Sequence, residues 1–401
     1  MDDPARFALA PGFECAATAC GLKKDSALDL ALIWSAGSCP AAGVFTTNRV
    51  QAAPVLLDRE ALAASGGRVR GVIANAGCAN AVTGERGLAD ARNMAARAAE
   101  AIGARGGEML VLSTGVIGVF LDMEKLTSGI AALRTSAASR APGDAARAIL
   151  TTDTRPKLAG AAAALPGGTV HVSGFAKGSG MIHPRMATML GLLTTDARLE
   201  PARLDRALRA AVARSFNRIS VDGDMSTNDT VLVMASGASG VAVDDAGEPT
   251  FTAALSEACV SLARQIARDG EGATRLVELR VTGAASESEA HRVADAIACS
   301  PLVKTAIHGG DPNWGRILAA AGYSGAPLEP DRVRLWFGEG DAIQLLDRGL
   351  PRRFDRAHAS ALLREDPVVI RLDLGLGEAA CVVWTCDLSA EYVSINADYT
   401  T

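Results

Sequence analysis

The sequence predicts a mixed α/β fold (α+β in detail) built from layered sheets and helices. Short β-branched or Leu-rich runs alternate with Ala-rich amphipathic stretches, and several antiparallel signals break any regular βαβ array. Apolar residues make up 49% of the chain but aromatics only 4%, so an ample core must be built from Ala, Val, Leu and Ile. A length of 401 residues suits two or three domains or one large duplicated one. No short repeat or long low-complexity tract is present.

Taken in order, residues 69–74, 109–112, 169–172, 230–234 and 276–281 read as strands. Leu88, Ala91, Ala95, Ala98 and Ile102 share one helical face. The same holds for Leu204, Leu208 and Ala211, and for Leu255, Cys259, Leu262 and Ile266. The stretch 137–148 reads as a surface segment whose helix Pro142-Gly143 would interrupt, and 159–168 as a mobile loop. Residues 368–374 and 381–388 flank a Gly-Leu-Gly turn and predict a β-hairpin. The last ten residues alternate like a strand, which predicts a packed terminus.

Composition excludes several functions. The net charge of −5 comes from 40 basic and 45 acidic residues, well mixed, with no basic run for nucleic acid. Apolar stretches are too short for a bilayer, and Met1-Asp-Asp-Pro has no secretory apolar region. The eight cysteines are scattered, without CxxC pairs or a His at ligand spacing, so the reading is buried thiols in a reducing, cytoplasmic compartment and no metal.

The most informative run is Lys177-Gly-Ser-Gly-Met-Ile-His-Pro-Arg-Met-Ala-Thr188-Met-Leu190. A Gly-rich loop leads to a Thr preceded by the small Ala187. A Thr hydroxyl is a weak nucleophile that needs an adjacent base. Cutting the bond before Thr188 would free an α-amine of reference pKa near ~8, suited to that task. The candidate junction is therefore Ala187–Thr188, dividing the chain into residues 1–187 and 188–401.

Other constellations carry chemistry beside bland readings. Thr114 and Gly115, at the end of a strand, offer a hydroxyl and an N–H for an oxyanion, or an ordinary strand-to-turn corner. The run Thr151-Thr-Asp-Thr154 reads as a helix cap or as a polar ligand wall. Asp222, Asp224, Asn228 and Asp229 lack EF-hand spacing and read as a hydrogen-bonded structural loop. Glu271 lies between two glycines after an amphipathic helix, placed either to pair with an amine or to face solvent. His308 has no nucleophile partner visible in the sequence and reads as a core or loop histidine.

Together these segments, with Gly43-Val-Phe-Thr-Thr-Asn-Arg-Val-Gln-Ala-Ala-Pro54, Asn75-Ala-Gly-Cys-Ala-Asn-Ala-Val-Thr-Gly84 and Asn396-Ala-Asp-Tyr-Thr-Thr401, resemble the ornithine acetyltransferases of arginine biosynthesis. The resemblance covers most of the chain. It implies a duplicated layered αββα architecture, N-terminal-nucleophile-like, with self-cleaved α and β chains assembled as α2β2. It implies Thr188 as nucleophile and Thr114 with Gly115 as oxyanion hole. Substrate contacts then fall to Thr151, Lys177, Thr188, Glu271, Asn396 and Thr401. Lys177 would hold the substrate α-carboxylate, and Glu271 would pair with the ornithine side or take its proton.

The implied reaction moves an acetyl group from N2-acetylornithine to glutamate by a ping-pong route, with no metal or cofactor. Acetyl-coenzyme A stays open as a second donor. Arg185 departs from the Asn common among relatives and bears on processing. The competing readings are an N-terminal-nucleophile amidase or aminopeptidase, a secondary-metabolism acetyltransferase of the same fold, and a silent binding protein. The last would be expected to lose Thr188 or the Thr-Gly pair, and both are present.

Overall fold

In the computed structural model, residues 3–24, 26–183, 189–340 and 342–398 are described. The expected cleavage and site positions Ala187, Thr188 and Thr401, and the departure at Arg185, lie outside these residues. The chain opens with β1 (Phe13–Thr18), β2 (Leu30–Phe45), α1 (Ala53–Ala64), β3 (Arg68–Cys78) and α2 (Gly84–Ile102). There follow β4 (Met109–Val116), α3 (Met123–Ala132), α4 (Pro142–Ala148), β5 (Lys157–Leu165) and β6 (Gly168–Lys177). Beyond residues 184–188 come β7 (Leu190–Thr195), α5 (Pro201–Ala213), β8 (Thr230–Ala235), α6 (Glu248–Arg268) and β9 (Leu276–Ala284). The rest comprises α7 (Glu287–Ala298), α8 (Pro301–Gly309), α9 (Trp314–Gly322), β10 (Arg334–Phe337), β11 (Ile343–Asp347) and β12 (Leu350–Pro351). It ends with α10 (Arg356–Leu362), β13 (Val368–Asp373), β14 (Ala379–Cys386) and α11 (Ala390–Asp398).

Eight strands form one sheet in the order β4-β3-β2-β8-β7-β6-β5, with β1 also on β2. The long β2 pairs with β3 through its first half and with β8 through its second, so the sheet divides into two layers. Strand alternation sorts the side chains. Ala31 and Ile33 of β2, Val72 and Ala74 of β3, and Leu110 and Leu112 of β4 meet Phe175, Leu190, Leu192, Leu232 and Met234 between the layers. The opposite faces of the same strands, Leu30, Leu32, Ile73 and Val111, pack on Met94, Ala95 and Ala98 of α2 and Leu126 of α3. Beyond the other layer, Leu193, Val231 and Val233 meet Leu204 and Leu208 of α5 and Leu255, Leu262 and Ile266 of α6. The layered αββα arrangement follows directly, and each helical stripe read from the sequence turns its apolar face to a sheet. Truncating one of these side chains, such as Leu262→Ala, costs about 2–5 kcal/mol.

A second sheet, β12-β11-β10-β13-β9-β14, packs with α7, α9 and α10 around its own core. Among the described residues no helix is long and apolar enough to cross a membrane.

Four local readings are corrected. Strands β13 and β14 are not a hairpin: β9 lies between them, parallel to β13 and antiparallel to β14. A Gly-rich turn reports reversal of the chain but not which strand fills the gap. Residues 159–168 are mostly the strand β5, paired along its length with β6, because alternate alanines can be buried in the layer. Pro142 starts α4 instead of interrupting it, since the first helical position needs no N–H, and the segment is not all surface: Ala145, Ala146 and Ala148 are buried against the sheet. The C-terminal alternation is overridden, and Ala390–Asp398 form the helix α11 with no buried residue.

Candidate active site

Strand β4 ends at Thr114-Gly115-Val116, parallel to the end of β3. Gly115 has φ +130°, and a Cβ there would meet the carbonyl carbon of Gly77 at 2.4 Å, so only glycine fits this corner. Side-chain amides fix it. Asn228 Nδ2 donates to Ala79 O at 2.6 Å and Ser113 O at 2.9 Å, while Ser113 Oγ donates to Asn75 Oδ1 at 2.6 Å.

Lys177, the last residue of β6, is buried. Its ammonium donates to Thr151 Oγ1 at 2.8 Å and to Thr114 Oγ1 at 3.3 Å, with Asp153 Oδ2 at 3.8 Å. Burial lowers its pKa; Asp153 opposes that shift and Lys157 adds to it. Behind it lies a sealed charge network. Lys157 donates to Asp153 Oδ1 and Asp269 Oδ2, both at 2.5 Å. Thr154 donates to Asp269 through both its N–H and its hydroxyl. Asp153 also accepts the Gly178 N–H at 2.6 Å. Burial alone would raise the Asp153 carboxyl, but Lys157 and Lys177 outweigh it and hold that group below the usual carboxylate range.

Glu271 follows α6. Its N–H donates to Ser179 O at 2.8 Å, and its Oε2 accepts from Asn396 Nδ2 at 2.8 Å, joining α11 to the site. The carboxylate lies against the loop after β6 so closely that a Cβ on Gly180 would meet Oε2 at 2.4 Å. Thr152 and Ser179 hydroxyls pair at 2.7 Å across the same loop.

Thr114, Gly115, Thr151, Lys177, Glu271 and Asn396 line one cavity, with Ala79, Met181, Ser226 and Asn228 among the rest of its wall. Six positions read from five separate stretches of sequence thus meet in space. A larger groove of about 800 Å³ opens between α1 and α5, but none of these six lines it.

The chain flanking residues 184–188 is held beside this cavity. Asp222 accepts the N–H groups of Met181 at 2.6 Å and Ile182 at 2.8 Å. Asp229 Oδ1 accepts the Met189 N–H at 2.9 Å, and Leu190 pairs with Lys177 and Thr230. Burial pushes both carboxyls up, Asp229 far above its ordinary value despite the Met189 N–H and the Lys177 charge. The acidic run is therefore a hydrogen-bonded loop, as read from its spacing. His308 pairs through Nδ1 with Asp387 Oδ2 at 2.7 Å, away from the cavity wall.

Sequence reading passed over Asp153, Lys157 and Asp269 as a unit. A Lys four residues after an Asp was a visible signal, but Asp269 lies over a hundred residues further along. It also passed over Asn228 as the brace of the Thr114 corner, because its partners are backbone carbonyls.

Known proteins resemble the chain throughout. A model described as the ArgJ family matches residues 14–401. An "Arginine biosynthesis bifunctional protein ArgJ" from Symbiobacterium thermophilum is 50% identical over 395 residues, covering 97% of each chain. The protein of the same name from Geobacter sulfurreducens is 48% identical over 394 residues, covering 97% of this chain and 99% of that one. Among solved structures, an arginine biosynthesis bifunctional protein from Bacillus halodurans is 47% identical over 51% of this chain and 97% of its own, with a TM-score of 0.49. An ornithine acetyltransferase from Mycobacterium tuberculosis, complexed with ornithine, is 38% identical over 44% of this chain and 92% of its own, with a TM-score of 0.38. With a family model over nearly its whole length and relatives at about half identity, the chain belongs to the ArgJ family.

Proposed function

We propose that this protein transfers an acetyl group from N2-acetylornithine to glutamate, with Thr188 as the nucleophile after self-cleavage at Ala187–Thr188. The observation that carries this reading is the cavity itself. The Thr114-Gly115 corner, a buried ammonium and a carboxylate on a Gly-rich turn converge there, and both flanks of the 184–188 segment are tied beside it.

The chemistry follows from the residues. The Thr188 hydroxyl attacks the acetamide carbonyl and its proton passes to the free α-amine. The tetrahedral oxyanion is met by the Thr114 hydroxyl and the Gly115 N–H. The C–N bond then breaks, ornithine leaves with the proton, and an acetyl ester remains on Thr188. Glutamate enters, its α-amine attacks the ester, and N-acetylglutamate departs. The Lys177 ammonium binds the substrate carboxylate, with Thr151 fixing its direction. Glu271, held by Asn396, pairs with the amine at the far end of ornithine.

Cleavage would fall between β6 and β7, so the two pieces would share one sheet and stay together. We further propose an α2β2 assembly, and a reducing, cytoplasmic setting in keeping with eight free cysteines. Acetyl-coenzyme A is proposed only as a second acetyl donor to the same Thr188. Initial-rate kinetics with both substrates test the reading. Parallel double-reciprocal lines are expected, and intersecting lines would contradict an acyl-enzyme.

A further inference from the structure

His183, Asp295 and Cys299 stand together at the edge of the loop that precedes residues 184–188, outside the cavity wall. His183 belongs to that loop, Asp295 lies on α7, and Cys299 caps the same helix one turn later. Cys299 Sγ is 3.3 Å from His183 Nδ1 and 3.7 Å from Asp295 Oδ1, and one ligand atom from each residue lies within 4.8 Å of the others. Each side chain is part-exposed, so an ion can reach it.

The two separations from Sγ lie close to the edges of a tetrahedron around a zinc-like divalent cation. With Zn–S near ~2.3 Å and Zn–N or Zn–O near ~2.1 Å, tetrahedral S···N and S···O edges are about 3.5–3.6 Å. A thiolate, an imidazole and a carboxylate form a donor set suited to zinc, and water would complete the fourth position. The sequence held no such signal, because Asp295 and Cys299 are more than a hundred residues from His183 and only the packing of α7 against the loop joins them. Ser220 Oγ, at 3.4 Å from Sγ and 3.2 Å from Ile182 O, braces the loop at this point.

We propose that His183, Asp295 and Cys299 form a binding site for a zinc-class divalent cation, which pins the loop ahead of residue 184 to α7. The bland alternative is a Cys–His hydrogen bond beside a solvated acid.

The test uses the full-length protein, stripped with a chelator and titrated with Co2+ and then Zn2+. Co2+ should give a near-ultraviolet thiolate charge-transfer band and strong visible bands of a tetrahedral ion, at one equivalent per 401-residue protomer, cleaved or not. Zn2+ should displace it. Cys299→Ser should remove the near-ultraviolet band. His183→Ala and Asp295→Asn should each weaken Co2+ binding at least about tenfold, the scale on which site partners act. Zinc should also slow alkylation of Cys299 in the wild type. Thermal melts check that each variant is folded, and Asp295→Asn preserves side-chain shape if another variant is lost. Absence of the band in the wild type, or its survival in Cys299→Ser, would overturn the site. Neither outcome depends on acetyl transfer, so the proposed reaction stands or falls separately.

Discussion

Asp222 and Asp229 hold the chain on opposite sides of residues 184–188. Asp222 accepts the N–H groups of Met181 and Ile182, and Asp229 accepts that of Met189. Both carboxylates come from one loop before β8, so a single hydrogen-bonded loop sets the path of the proposed junction from both ends. Asp222→Ala should therefore slow self-cleavage by about tenfold or more, the range in which small misplacements act. Asp222→Asn, which keeps one acceptor oxygen, should slow it less. Time courses of freshly made protein on denaturing gels would reveal this, and unchanged cleavage in Asp222→Ala would remove the clamp from the account.

Thr114 is the second target. Loss of one oxyanion donor lowers the chemical step by roughly 10²–10³. Thr114→Ala should show that loss in single-turnover acetylation, with binding of N-acetylornithine little changed. Thr114→Ser should recover most of the rate. Equal rates for all three proteins would assign Thr114 to structure alone.

Lys177→Met removes the buried ammonium while keeping the bulk of the side chain. A hydrogen bond to a charged group contributes about 1.5–3 kcal/mol, or roughly tenfold to a hundredfold in affinity. Calorimetry should show weaker N-acetylornithine binding by that factor. Glu271→Gln should weaken binding of ornithine in the same assay, and Asn396→Ala, which frees Glu271 from α11, should have a smaller effect.

Asp153 is predicted to be a stability residue. It is buried between Lys157 and Lys177, and removing the partner of a buried ion pair costs about 3–5 kcal/mol. Asp153→Ala should lower the melting temperature accordingly. Its carboxyl is held below the ordinary value in the fold, so its contribution is fully present above the unfolded-state pKa near ~3.9. That contribution is lost as pH falls through the lower folded value. The gap in stability between wild type and variant should therefore narrow on acidification below about pH 4, and a pH-independent gap would contradict the assignment.

What the sequence disclosed divides along physical lines. Helical stripes such as Leu255, Cys259, Leu262 and Ile266 were legible because one face alone is buried. Strands β3, β4, β8 and β9 were legible from β-branched and Leu-rich composition. Strand β5 was hidden because an Ala run carries no β signal, and its burial is set by β6 and α6. The terminal helix α11 was hidden because it buries nothing, so no stripe marks it. Thr114, Lys177 and Glu271 stood out through their glycine-rich settings. The Asp153–Lys157–Asp269 network and the His183–Cys299 contact depend on long-range packing, which local spacing does not encode.

The central claim is an acetyl-enzyme on a newly exposed Thr188. Intact-mass analysis of purified protein, before and after incubation with N-acetylornithine, tests it most directly. The expected result is two polypeptides, residues 1–187 and 188–401, with one acetyl group gained by the second and lost again on adding glutamate. A chain that stays whole yet transfers acetyl groups at full rate, or an acetyl group carried on any residue other than Thr188, would contradict it.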